Sequence, residues 1–217
     1  MSVLRAENLY RFFHSDADEV IALRSVSLAA DAGELVAVVG PSGSGKSTLL
    51  SCLGGLDEPD GGAVFVCGER MSHRPEADKS RLRARHVGLV MQSDNLISHL
   101  SVRENIVLAA RLGGSKADPS ALLERLGLAH RALAAPPELS GGEAVRAAVA
   151  AAVVKRPAVL LADEPTAEVD GDGEGDVADL LREVAASGTA VVVATHSGRV
   201  ADRADRVVAL RDGAVDG

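Results

Sequence analysis

The sequence predicts an α/β fold: a mostly parallel sheet with flanking helices, additional antiparallel β elements, and an inserted α-helical subdomain. Three observations predict it. Short apolar runs such as Leu35-Val36-Ala37-Val38-Val39 alternate with stretches that read as helices. Between about residues 93 and 152 the alternation gives way to helical signals alone. Finally, 217 residues at 47% hydrophobic and 25% charged content can bury a sizeable core in one domain.

Taken in order, residues 3–9 and 22–28 read as strands flanking the polar segment His14-Ser15-Asp16-Ala17-Asp18-Glu19. Asp31-Ala32-Gly33 turns the chain into the strand at 35–39, and a helix leaves the glycine-rich stretch that follows. Gly54-Gly55 and Pro59-Asp60-Gly61-Gly62 mark turns before a strand at 63–67, a helix at 76–84 and a strand-like run at 86–91. Ser101-Val102-Arg103-Glu104 is a capping box that opens a helix to about Leu112. Gly113-Gly114 breaks it, and Asp118-Pro119 supplies an N-cap and an N1 proline for a helix at 120–126. A further helix runs through Val154; then come a strand at 158–162, a helix at 176–186, a strand at 189–195, a short helix at 198–204 and a strand at 206–210. The nucleotide-binding core is expected over about 1–92 and 153–217, with the helical subdomain at 93–152.

Composition narrows the function. A net charge of −8 disfavours duplex-DNA or RNA partners, so no nucleic acid is expected. The basic run Lys79, Arg81, Arg83, Arg85 and His86 reads as a solvated helix face. No apolar run approaches the ~18 residues needed to span a bilayer, and the first residues lack a secretory pattern. A cytoplasmic protein is expected, membrane-bound only through a partner. Cys52 and Cys67 lie in apolar company and read as reduced core thiols.

The chemistry concentrates in three stretches. Gly40-Pro41-Ser42-Gly43-Ser44-Gly45-Lys46-Ser47-Thr48 fits the P-loop pattern between a strand and a helix, so the core is that of a P-loop NTPase. Its glycines let backbone N–H groups wrap phosphate oxygens, Lys46 supplies a point charge for the β- and γ-phosphates, and the Ser47 hydroxyl is placed to ligate Mg²⁺. Val159-Leu160-Leu161-Ala162-Asp163-Glu164 is a buried strand ending in two acids: Asp163 can hold Mg²⁺ through water, and Glu164 can polarise a water attacking the γ-phosphate. Leu139-Ser140-Gly141-Gly142-Glu143 offers a second anion cradle at a helix start. Two such cradles in one domain make sense if the second serves the nucleotide of another copy.

These stretches, with Gln92, Ala167-Glu168-Val169-Asp170 and Thr195-His196, resemble in order the motifs of the ATP-binding cassette (ABC) family of ATPases. The resemblance extends over essentially the whole chain. Gly54-Gly55-Leu56-Asp57, the LSGGE signature and Ala162-Asp163-Glu164-Pro165-Thr166 are most similar to the group serving lipoprotein release, macrolide export and related permeases, including the cell-division cassette. The resemblance implies ATP and Mg²⁺ as cofactors and a homodimer with ATP at its interface. It further implies a separate integral membrane permease with few spans and an extracytoplasmic domain, and a position on the cytoplasmic face of the cell membrane. It implies catalytic roles for Glu164, His196, Lys46 and Gln92, with Gln92 also at the metal. Ser140, Gly141 and Gly142 would grip the partner's nucleotide, and Asp170 would cross the interface. An aromatic stacks on adenine in the family; spacing points to Phe13, with Phe12 and Tyr10 as alternatives. A regulatory ATPase that signals through a membrane partner without transport is the alternative function. Ala144 and Val145 after the signature, Glu168-Val169, and Ser197 after His196 depart from the family pattern.

Overall fold

The computed structural model describes residues 2–14 and 19–216. Most of the polar segment expected at 14–19 lies outside them. The chain opens with β1 (Ser2–His14) and β2 (Glu19–Asp31), a long antiparallel pair in which Asn8 and Ser25 adopt left-handed φ of 47° and 55° where the register shifts. β4 (Gly61–Val66) pairs with β1, and β5 (Glu69–Arg70) with β4, which completes a four-stranded antiparallel sheet. The second sheet contains β3 (Leu35–Val39), β6 (Val87–Val90), β7 (Val159–Asp163), β8 (Ala190–Thr195), β9 (Arg206–Arg211) and β10 (Ala214–Val215). Its order is β10-β9-β3-β8-β7-β6, parallel except at β10.

A parallel sheet must be covered on both faces, and the side-chain alternation of its strands shows how. Leu35 and Ala37, Leu160 and Ala162, and Val191 and Val193 point into one apolar cluster. They meet α5 (Gly141–Val153) and α6 (Gly171–Ala186), with α3 (Val102–Leu112) packed outside α5. Val36 and Val38, Val159 and Leu161, and Val192 and Ala194 point the other way, onto α1 (Lys46–Leu53), which is wedged against the antiparallel sheet. Helix α2 (Glu76–His86) lies against β6, α4 (Ser120–Arg125) follows α3, and α7 (Gly198–Ala201) precedes β9.

Several details differ from expectation. Strands β5 and β10 are two-residue pieces closed by the turns Cys67-Gly68 and Asp212-Gly213, in which all four residues have positive φ, the signature of tight hairpins. Cys67 is therefore an exposed turn thiol, and only Cys52 is a core one. The basic helix face is not simply solvated. Lys79 is 9% exposed and paired with Glu58 and Glu76, while Arg83 reaches the Gly55 carbonyl at 2.7 Å. Helix α6 starts five residues earlier than expected, because burial of Val177, Leu181 and Val184 overrides the cost of three glycines in its opening turns. α7 stops at Ala201.

Candidate functional site

The parallel strands deliver the site residues to one edge of the sheet. Val39 of β3 pairs with Thr195 of β8, and Asp163 of β7 pairs with Ala194. Gly40, Glu164 and His196, each the next residue along its strand, thus emerge side by side at the carboxyl ends, where ligands bind in open α/β sheets.

The loop of residues 40–48 is packed so tightly that it needs its glycines. A Cβ on Gly40 would lie 2.1 Å from the Leu210 carbonyl oxygen. One on Gly45, which caps α1 at φ 101°, would lie 2.3 Å from that of Ala22. The Lys46 ammonium, 8% exposed, donates to the carbonyls of Gly40 (2.9 Å) and Pro41 (3.2 Å) and stands 3.7 Å from Glu164 Oε1. Pro41, Ser42, Gly43 and Thr48 complete the loop and the first turn of α1 around it.

Glu164 occupies a left-handed backbone conformation, φ 45°, that is uncommon for a non-glycine residue and recurs at functional sites. Its N–H donates to the Ala194 carbonyl at 2.9 Å, which fixes the turn. The carboxylate is bracketed: Lys46 faces Oε1, while Oε2 lies 2.8 Å from His196 Nδ1 and accepts from His196 N at 3.2 Å. The His196 ring is otherwise open to solvent, 71% exposed.

Asp163 is 5% exposed, and burial pushes its carboxyl upward despite a hydrogen bond from the Ser47 hydroxyl. Its Oδ1 and the buried Ser44 Oγ have no protein partner. Buried polar atoms are ordinarily satisfied, so both are open to a water or a polar ligand. Ser47 and Asp163 form a hard oxygen pair of the kind that takes Mg²⁺ with one carboxylate and substrate phosphates, and no cluster of three or more metal-ligating side chains occurs among the described residues. The residues fit Mg²⁺ with a polyphosphate.

Other sequence-predicted residues lie apart. Gln92 is exposed beyond β6 and shares a cleft of about 250 Å³ with Asn95, Val145, Glu164, Pro165 and Glu168. Ser140 caps α5: its hydroxyl accepts from Glu143 N, and Glu143 Oε2 accepts from Ser140 N. The capping partner Glu143 was readable as the fourth residue of Ser-x-x-Glu. The Ser140 backbone bond and Arg131, 2.9 Å away, hold its carboxyl down at about 2. Gly141 abuts the Glu168 carbonyl, where a Cβ would stand 2.1 Å from the oxygen, and Gly142 is nearly open. Asp170 caps α6 without using its side chain and is exposed. None of the hydrogen bonds described around Lys46, Glu164 and His196 involves residues 140–142. Phe13 is 42% exposed at the end of β1 with the Arg11 guanidinium 4.6 Å above its ring, whereas Tyr10 and Phe12 stack on each other. Arg11 itself is clamped by Asp57 and Asp60, an arrangement with no sequence motif to announce it.

Residues 23–167 match the family model described as ABC transporter. The chain is 43% identical, over 97% of its length and 96% of the relative's, to the lipoprotein-releasing system ATP-binding protein LolD of Paramagnetospirillum magneticum. It is 40% identical over 99% of its length to the macrolide export ATP-binding/permease protein MacB of Burkholderia pseudomallei, of which it spans 34%. Among solved structures, the dimeric bacterial ABC transporter cassette MJ0796 matches with a TM-score of 0.90 at 32% identity, covering 99% of this chain and 97% of the other. The same cassette in a post-hydrolysis state bound to ADP and Pi matches equally well. Motif geometry, whole-chain similarity and fold agree: the chain belongs to the ABC transporter family, as an ATP-binding cassette with a P-loop NTPase fold.

Proposed function

We propose that this protein is the ATP-binding and ATP-hydrolysing subunit of an ABC transporter of the lipoprotein-release or macrolide-export type. The observation that carries the proposal is the bracketed carboxylate: Glu164 is held between Lys46 and His196, beside an unpartnered Asp163 oxygen and the Ser47 hydroxyl.

In this reading the loop of residues 40–48 binds the phosphates, and Phe13 supplies the adenine platform. Ser47 and Asp163 would hold Mg²⁺, with Gln92 in the cleft it shares with Glu164; the ion would offset phosphate charge. Glu164 accepts the proton of the attacking water, and its bond to His196 leaves the second ring nitrogen for the γ-phosphate. The exposed Ser140 and the half-buried Gly141 and Gly142 meet no cradle in their own chain, so each completes the site of a second copy in a head-to-tail homodimer. Asp170, exposed and free of capping duty, crosses that interface. The helical subdomain, about 93–152, takes the permease. Support comes from the cleft at Gln92–Asn95 and from Ile97 and Leu133, 41% and 85% exposed. No helix among the described residues is long and apolar enough to cross a membrane. On the likeness to the ATP-binding subunit LolD, we place the protein at the cytoplasmic face, peripheral to a separate permease.

Replacing Glu164 with Gln tests this. Turnover falls at least about a hundredfold, the scale of a lost general base. Light scattering then shows a dimer with ATP and a monomer without it. Hydrolysis within a few fold of wild type would remove Glu164 from its role.

A further inference from the structure

A contact between α6 and the loop after β8 stands apart from the site just described. Ser197, next to His196, is 7% exposed and occupies the N-cap of α7, yet α7 receives no side-chain cap bond. Its hydroxyl is committed elsewhere: it donates to Glu174 Oε2 at 2.5 Å. That carboxylate belongs to the first turn of α6, where Glu174 N donates to the Asp170 carbonyl at 3.2 Å. On its other side, Ser197 N donates to Thr195 Oγ1 at 2.9 Å, and Thr195 is wholly buried at the end of β8. His196 thus hangs between two anchored residues, with its exposed ring directed at Glu164.

We propose that Glu174 is a positioning residue for His196, acting through the Ser197 hydroxyl, and that it ties the start of α6, with Asp170, to the loop that carries His196. The inference rests on the role given to His196 above. An O–H···O⁻ bond is charge-assisted and directional, so it fixes both partners. Without the carboxylate, the buried Ser197 hydroxyl needs another acceptor or donor. The nearest alternative is to cap α7, the ordinary use of a serine at that position. Either way the tie to α6 is lost, and the loop no longer holds the imidazole against Glu164. Nucleotide affinity, which depends on the loop at 40–48, stays as it was. The effect falls on turnover.

The experiment compares ATP hydrolysis by full-length wild type, Glu174→Ala, Glu174→Gln, the double variant Glu174→Ala with Ser197→Ala, and His196→Ala. Glu174→Ala lowers kcat about tenfold to a hundredfold, the cost of misplacing a group by roughly 1 Å. Its KM for ATP stays within about twofold, because a group acting only in the transition state was displaced. Glu174→Gln keeps an acceptor oxygen for Ser197 and most of the turnover. Adding Ser197→Ala to Glu174→Ala costs no further turnover, since the two residues act through one hydrogen bond. If His196→Ala is inactive while Glu174→Ala matches wild type, the positioning role is overturned and the reading of the site stands. A loss in Glu174→Ala that glutamine does not reverse, or that the added Ser197→Ala deepens, also overturns it. Full turnover in His196→Ala overturns the site reading on which the inference depends.

Discussion

Replacing Gly141 with Ala should destabilise the fold where the same change at Gly142 does not. The added Cβ at 141 would stand 2.1 Å from the Glu168 carbonyl oxygen, against 3.4–4 Å for ordinary contact. The Cβ is fixed by the backbone that carries it and the oxygen is itself backbone, so no side chain can swing aside. Either the first turn of α5 or the segment leading to Asp170 must move by more than an ångström. Overpacking of this kind costs about 1–3 kcal/mol. For a chain of this size that lowers the melting temperature by about 2–12 °C. At Gly142 the nearest atom is the Arg146 guanidinium at 3.4 Å, the far end of a flexible side chain. There alanine is neutral or stabilising by up to about 1 kcal/mol through helix propensity. Thermal unfolding followed by circular dichroism measures both variants under one set of conditions. ATP turnover of Gly141→Ala falls as well, because Ser140 and Asp170 are displaced together. Equal melting temperatures for the two variants would refute the close packing of α5 against Glu168.

Lys155, just after α5, is pushed down to about 8 by burial, and its ammonium donates to the Arg83 carbonyl at 2.9 Å. Its folded value lies below the ~10.4 of an unfolded chain, so the unfolded state binds more protons and stability rises between about pH 8 and 10. Denaturant midpoints of wild type relative to Lys155→Met should therefore rise with pH across that window, and a constant difference contradicts it. Asp163→Asn should lose the gain in ATP affinity that magnesium gives, by about tenfold or more. Titrations with MgCl₂ and with EDTA check this, and a variant that responds to magnesium like wild type contradicts the metal role.

The parallel sheet and its site were legible because the signals are local. The run Leu35–Val39 must be a buried strand, Gly45 must be glycine, and the Ser101 capping box appears as read. Pairing of strand ends then follows from parallel register, which brings Glu164 and His196 together although 32 residues separate them. What escaped is tertiary. Burial of Lys79 depends on Glu58, 21 residues away, and the Ser197–Glu174 bond joins two elements with no shared pattern. The Arg11 clamp on Asp57 and Asp60 is another such case. By contrast, Asp212-Gly213 is an ordinary hairpin signal that predicts β10 once used.

The claim that two chains share each site is tested most directly by mixing two inactive variants. Lys46→Ala disables a chain's own phosphate loop. Ser140→Asp keeps the cap of α5 but places a negative charge where the partner's phosphate would lie. In a head-to-tail dimer each mixed pair retains one site with an intact loop and an intact signature. An equimolar mixture should then recover about a quarter of wild-type turnover, as half of the pairs are mixed and each holds one of two sites. A mixture as inactive as its components, with mixed dimers shown to form, would place the signature's action within its own chain and contradict the shared site.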